Sequence, residues 1–202
     1  APIAILNPAQ HSDIVGYVHE ASTAQVNQAL ENAAHAQTSW TATAKNERAA
    51  CLQRAADMMQ ARLAELIVLL CRESGKTAAN AIAEIREAID FLRYYAAQIL
   101  DLDHDTLIQP LGTVLCISPW NFPLAIFTGQ ISAALAAGNT VIAKPAEQTP
   151  LIAALAIQIL WQAGIPEDVV QLLPGQGETV GAQLTADARI QGILFTGSTE
   201  VA

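Results

Sequence analysis

Positive charge is the scarcest commodity in this chain. Ten Lys and Arg face 19 Asp and Glu over 202 residues, a formal charge of −9. A surface so poor in cations excludes binding to nucleic acid or to an anionic membrane through a basic patch. Charged residues of either sign make up only 14%, against 52% hydrophobic residues. That balance excludes a disordered chain and implies a sizeable core. Cysteine is also sparse. Cys51, Cys71 and Cys116 show no CxxC or Cys/His spacing, so no metal site is expected, and the thiols read as core residues of a reducing compartment. Residues 107–143 contain no Asp, Glu, Lys, Arg or His, but Pro110, Pro119, Pro123 and Gly138 interrupt that run. Such breaks are costly in lipid, so no transmembrane span is predicted. The N-terminus has no basic leader, and a cytoplasmic location is the expectation.

The pattern of apolar residues predicts two segments. In residues 1–105 a short strand over Asp13–Glu20, in a hairpin or edge ribbon, precedes three helices. The first starts from Thr23 as N-cap and runs toward Trp40. The second carries a stripe from Leu52 through Met59 and Leu66 to Leu70 and stops at Gly75. The third carries Ile82, Ile85, Ile89, Leu92, Tyr95 and Ile99. On a single second helix, Cys51 and Cys71 would lie about 30 Å apart, too far to bridge.

In residues 106–202 short apolar runs alternate with Ala-rich helical stretches. Strands are expected at Thr113–Ile117, Thr140–Ala143, Val169–Leu173 and Ile190–Phe195, and helices at Leu124–Ala137, Pro150–Ala163 and Gly177–Leu184. The fold class that follows is α/β, a doubly wound parallel sheet covered on both faces and preceded by a helical segment. Ligands of such sheets bind at the carboxyl ends of the strands.

The residues at those ends are distinctive as a set. They are Ser118-Pro-Trp-Asn-Phe-Pro123, Lys144-Pro-Ala-Glu147, Pro174-Gly-Gln-Gly-Glu-Thr-Val-Gly181 and Phe195-Thr-Gly-Ser-Thr-Glu200. Singly, each is also an ordinary turn or a solvated strand end, and the spacing of Gly175, Gly177 and Gly181 departs from the dinucleotide fingerprint. Together and in this order they resemble the aldehyde dehydrogenase family. Arg86-Glu-Ala-Ile-Asp-Phe-Leu-Arg-Tyr-Tyr-Ala96, Glu73-Ser-Gly-Lys76 and Gly-Ser-Thr-Glu-Val-Ala202 are similar, more narrowly, to the L-glutamate γ-semialdehyde (pyrroline-5-carboxylate) dehydrogenase module of the bifunctional proline utilization A flavoenzymes.

The resemblance implies a Rossmann-like NAD-binding domain and an enzyme that oxidises an aldehyde through a cysteine thiolate, hydride transfer to NAD and hydrolysis of the thioester. It implies that Asn121 is the side-chain donor to the developing oxyanion, a type of contact that lowers a barrier by roughly 3 kcal/mol. Phe122 would line the aldehyde pocket, and Glu87 would stand on the substrate side, although its place off the Ile85/Ile89 stripe also suits a solvated helix carboxylate. Lys144 and Glu147 match the pair that holds the adenosine ribose. A carboxylate there accepts from the 2′-hydroxyl and repels a 2′-phosphate, which favours NAD over NADP. Ser198, at the start of an expected helix, and Trp120 would meet the pyrophosphate. Gly177 and Gly181 would admit the adenosine, and Val201 would pack on the adenine. Ile117, Ser118, Pro119, Ala146, Phe195, Thr196 and Gly197 complete the cofactor set.

The chain stops before the family's catalytic cysteine and general-base glutamate, so the sheet is expected to be truncated at the C-terminus, the catalytic domain absent and the 202-residue piece inactive by itself. The resemblance further implies a homo-oligomeric full-length enzyme acting on a small-molecule aldehyde, and FAD only in a proline dehydrogenase domain outside this chain. Two alternatives stay open: another semialdehyde, such as succinate semialdehyde, or a non-catalytic nucleotide-binding or oligomerisation module.

Overall fold

The computed structural model describes residues 1–102 and 109–200. The boundary expected at 105/106 and Val201 lie outside the described residues. An antiparallel ribbon of β1 (Ile3–Asn7) and β2 (Gln10–Val18) opens the chain. Four helices follow, α1 (Thr23–Ala42), α2 (Lys45–Ala61), α3 (Leu63–Ser74) and α4 (Ala78–Asp101). Then come β3 (Thr113–Ile117), α5 (Ala125–Ala136), β4 (Thr140–Lys144), α6 (Pro150–Gln162), β5 (Val170–Leu172), a wide helical turn at Gly177–Gly181 running into α7 (Ala182–Thr185), and β6 (Ile190–Phe195). The second sheet has the order β5-β4-β3-β6 with every pair parallel, as the alternation of strand and helix predicts.

Three local expectations change. Ser22, not Thr23, caps α1, in a capping box with Gln25. The expected second helix is two, broken at Arg62 (φ −98°, ψ 19°), so the straight 30 Å path between Cys51 and Cys71 does not exist; both thiols are free. Nothing in the local sequence signals the break, because the leucine periodicity runs through it. The stretch from Gly177 begins as a wide, π-type turn rather than a regular helix. The helix expected to open at Ser198 lies outside the described residues, which end at Glu200. Gly75, with φ 68°, does end α3 in the left-handed conformation that favours glycine.

Alternation along the central strands sorts their side chains into two cores. Val114 and Cys116 of β3, with Val141 and Ala143 of β4, pack among α2, α4, α5 and α6. Leu115 and Ile142 point to the opposite face, where Val26, Ala29, Leu30 and Ala33 of α1 cover them with Leu173, Val180 and Leu184. The N-terminal helices therefore supply both the cover of one sheet face and the outer layer of the other. On α4 the buried face includes Ala81, Glu84, Ile85, Ala88 and Leu92, while Ile82, expected inside, is 37% exposed. No helix among the described residues is long and apolar enough to cross a membrane.

Helices α5 and α6 carry no charged residue, yet their ends are held by charges from elsewhere. Glu84 of α4 accepts from the N–H groups of Leu124 (2.8 Å) and Ala125 (3.2 Å) at the start of α5. Glu73 of α3 accepts from Leu151 (2.6 Å) and Ile152 (2.8 Å) at the start of α6. Thr149, expected to cap α6, makes no side-chain cap bond. At the other ends, Arg48 donates to the Ala136 carbonyl (3.0 Å) and Arg54 to the Ala163 carbonyl (2.9 Å). Each helix thus has a carboxylate at its positive end and a guanidinium at its negative end, the arrangement its dipole favours.

Candidate functional site

Register brings the strand ends into one row. Ile117, the last residue of β3, pairs with Lys144 on one side and with Phe195 on the other. The segments that follow, starting at Ser118, Pro145 and Thr196, therefore leave the sheet side by side. Their first backbone groups stay knitted together: Ser118 N–H donates to the Lys144 carbonyl (3.4 Å) and Thr196 N–H to that of Ile117 (3.1 Å). Gln130 of α5 reinforces the seam, donating from Nε2 to the Ile117 carbonyl (3.2 Å) and to Thr196 Oγ1 (3.0 Å). Sequence reasoning did not single out Gln130. It sits alone as a long polar side chain on an otherwise apolar helix, and that was the available signal.

On the β4 side, Lys144 is 4% exposed. Its ammonium donates to the Pro145 carbonyl (3.1 Å) and lies 3.6 Å from Glu147 Oε1. Burial pushes the Lys144 pKa down, opposed by the carboxylates of Glu147, Glu178 and Glu20. The same Glu147 Oε1 accepts from Gly177 N–H at 2.7 Å, so one carboxylate joins the loop after β4 to the turn after β5. Gly181 faces the lysine stem, and a Cβ there would stand 3.4 Å from Lys144 Cε. Glu147 Oε2 takes no hydrogen bond from the described residues. Ala146 lies beside this pair, half-buried.

On the β3 side, Trp120, Asn121 and Phe122 are exposed between Pro119 and Pro123. Ser118 is buried, with its hydroxyl unpartnered. The loop is anchored from below. Lys76, in the turn between α3 and α4, places its ammonium 4.5 Å from the centre of the Phe122 ring and 2.8 Å from Glu84 Oε2. Gly197 and Ser198 are exposed on the β6 side, and a Cβ at Gly197 would meet the Phe195 ring at 2.6 Å.

The structure thus brings Ile117, Ser118, Lys144, Ala146, Glu147, Gly177, Gly181, Phe195 and Thr196 to one sheet edge, with Asn121 and Phe122 on the adjoining loop. Glu87 makes no side-chain hydrogen bond or ion pair among the described residues. It lines an open cleft of about 570 Å³ on the outer face of α4 with Arg86, Asp90, Phe91 and Tyr94. The α4 carboxylate that reaches the Asn121 loop is Glu84, one turn earlier.

Comparison with known proteins agrees with this fold. The description "Aldehyde dehydrogenase family" matches residues 1–202. The chain is 64% identical over 198 residues to the bifunctional protein PutA of Salmonella typhimurium, covering 98% of this chain and 15% of that protein. It is 40% identical over 213 residues to 1-pyrroline-5-carboxylate dehydrogenase 2 of Bacillus subtilis, covering 100% of this chain and 41% of that one. The solved 1-pyrroline-5-carboxylate dehydrogenase from Thermus with bound NAD superposes with a TM-score of 0.95 at 41% identity, covering 100% of this chain and 42% of the solved chain. The chain accordingly spans a minor part of the length of these relatives. It belongs to the aldehyde dehydrogenase family.

Proposed function

We propose that this chain carries part of the NAD site and the oxyanion donor of an enzyme that oxidises L-glutamate γ-semialdehyde to L-glutamate. The observation that carries the reading is Glu147. Its Oε1 is engaged by Lys144 and Gly177 at the end of a parallel strand, while Oε2 is left without a partner among the described residues. A carboxylate fixed in that way accepts from a ribose hydroxyl and disfavours a 2′-phosphate. Likeness to the NAD-bound Thermus enzyme supports the choice of cofactor, and the identity to PutA and to the Bacillus subtilis enzyme supports the choice of aldehyde.

When bound, NAD takes up hydride from the substrate carbon. The residues of this chain bind and orient. Asn121, on an exposed loop and making no side-chain hydrogen bond among the described residues, is free to donate to the aldehyde oxygen as negative charge gathers there. Phe122 would supply an apolar wall beside it, and Ser198 and Trp120 would meet the pyrophosphate. Val201 would pack on the adenine in this reading. Glu87 is assigned to the substrate side, in a cleft that the remainder of such an enzyme would close. The reading extends to a cytoplasmic homo-oligomer, with FAD confined to a proline dehydrogenase domain elsewhere in a bifunctional protein, as the likeness to PutA suggests.

The test is NADH formation by the complete gene product containing this chain, with glutamate semialdehyde compared against succinate semialdehyde. A kcat/KM at least about 10-fold higher for glutamate semialdehyde is expected. Absence of NADH with either aldehyde overturns the reading.

A further inference from the structure

The loop bearing Asn121 and Phe122 has little to hold it from within. Pro119 and Pro123 offer no N–H, and Trp120, Asn121 and Phe122 are all exposed. Its backbone is tied at Ser118, whose N–H reaches the Lys144 carbonyl, and again where Leu124 and Ala125 donate to Glu84. Between those ties Ile126 N–H donates to the Phe122 carbonyl (3.3 Å), and the side-chain contact that braces the loop comes from Lys76.

That lysine is well placed for the task. Gly75, with φ 68°, and Thr77, which caps α4 by accepting from Asn80 N–H (3.3 Å), hold Lys76 in a tight corner between two helices. Its side chain is 13% exposed and that of Glu84 only 1%. The ammonium stands 2.8 Å from Glu84 Oε2, and that oxygen, buried, takes no well-directed hydrogen bond. The same ammonium lies over the Phe122 ring. One cation therefore joins the carboxylate that caps α5 to the aromatic side chain next to Asn121. The arrangement fixes Phe122 from one face and leaves Asn121, on the adjacent backbone position, projecting from a braced loop.

We infer that Lys76, acting with Glu84, is a positioning residue for the Asn121 amide, setting its aim at the reacting oxygen. The inference rests on the reading of Asn121 given above. A misplacement of about 1 Å at a donor of this kind costs on the order of 100-fold in rate, whereas cofactor binding at the β4 side does not depend on it.

The experiment is a double-mutant cycle in the complete gene product. Lys76→Met is expected to lower kcat on glutamate semialdehyde by more than about 3-fold while the Kd for NAD stays within about 2-fold, and Lys76→Arg to restore most of the rate, since it keeps the cation over the ring. In an Asn121→Ala background, Lys76→Met is expected to cost less than about 2-fold further, because the group it aims is gone. A loss in kcat smaller than about 3-fold for Lys76→Met, or the same fractional loss in both backgrounds, overturns the inference. If Lys76→Met does not fold, because Glu84 is left buried without its counter-charge, Lys76→Met with Glu84→Gln removes both charges and is judged by the same criteria. Asn121→Ala with unchanged kcat would overturn the reading of Asn121 itself. A slow Asn121→Ala enzyme beside an unaffected Lys76→Met enzyme would overturn only the role of Lys76.

Discussion

Arg48 is buried beneath the last turn of α5, and its Nε donates to the carbonyl of Ala136 at 3.0 Å. A second nitrogen of the same guanidinium reaches the Thr43 carbonyl, so the fork ties the turn between α1 and α2 to the end of α5. Hydrogen bonds from a charged donor to buried carbonyls contribute more than neutral ones. Arg48→Met keeps the stem and removes the fork. It is expected to lower stability by about 2–3 kcal/mol, read as a drop in the urea midpoint of the purified chain. Arg48→Lys, which offers a point charge in place of a planar fork, is expected to recover less than half of that loss.

Gly129 sets the spacing of α5 against α4. A Cβ there would stand 2.9 Å from Phe91 Cδ2 and 3.2 Å from Cε2, with Phe91 stacked against Tyr95. Replacing a mid-helix glycine by alanine gains about 1 kcal/mol of helix propensity, but forcing a packed ring aside costs about 1–3 kcal/mol. Overpacking wins, so Gly129→Ala is expected to destabilise the chain. A midpoint equal to or above the parent's would show that Phe91 yields freely.

Glu73 makes stability depend on pH. Burial raises its pKa from the ordinary 4.5 to about 7, against the two N–H groups of Leu151 and Ile152 that favour the carboxylate. Between those values the folded chain binds more protons than the unfolded one, so stability is lost as pH rises through the window. The full effect is on the order of 3 kcal/mol, and below pH 4.5 Glu73 adds no further change. Glu73→Gln is expected to flatten this part of the profile. The measurement is the difference between parent and variant in urea midpoint at pH 5 and at pH 7.5; parallel shifts would remove Glu73 as the cause.

Glu147→Gln keeps an acceptor for Gly177 and drops the charge beside Lys144. On the proposed function, isothermal titration should show the preference for NAD over NADP falling by about 10-fold. An unchanged preference would place the discrimination elsewhere.

The strand ends were legible in the sequence because each strand is a short apolar run bounded by Gly or Pro. Thr113–Ile117 and Ile190–Phe195 fall where that pattern puts them. The helix break at Arg62 was not, since no glycine or proline marks it and the backbone turns within a continuous leucine pattern. The candidate site divides in the same way. Lys144 and Glu147, which the resemblance pairs, lie 3.6 Å apart. The resemblance drew attention to Glu87, while the carboxylate that touches the Asn121 loop is Glu84. That residue could have been found: it lies three positions after Ala81 and four before Ala88, on the face those residues bury, and a buried carboxylate requires a partner. Which partner was beyond reach, because Leu124 lies 40 residues away and nothing local records the pairing.

The side chains that cap α5 and α6 all precede these helices in the chain: Arg48, Arg54, Glu73 and Glu84 come before residue 109. Synthesis runs from the N-terminus, so the ribosome releases the four capping groups before either of the uncharged helices that need them. When Ala125–Ala136 and Pro150–Gln162 emerge, the carboxylate and the guanidinium that hold the two ends of each have already been synthesised. Order of emergence thereby makes the caps available to these two highly apolar segments as soon as they leave the ribosome.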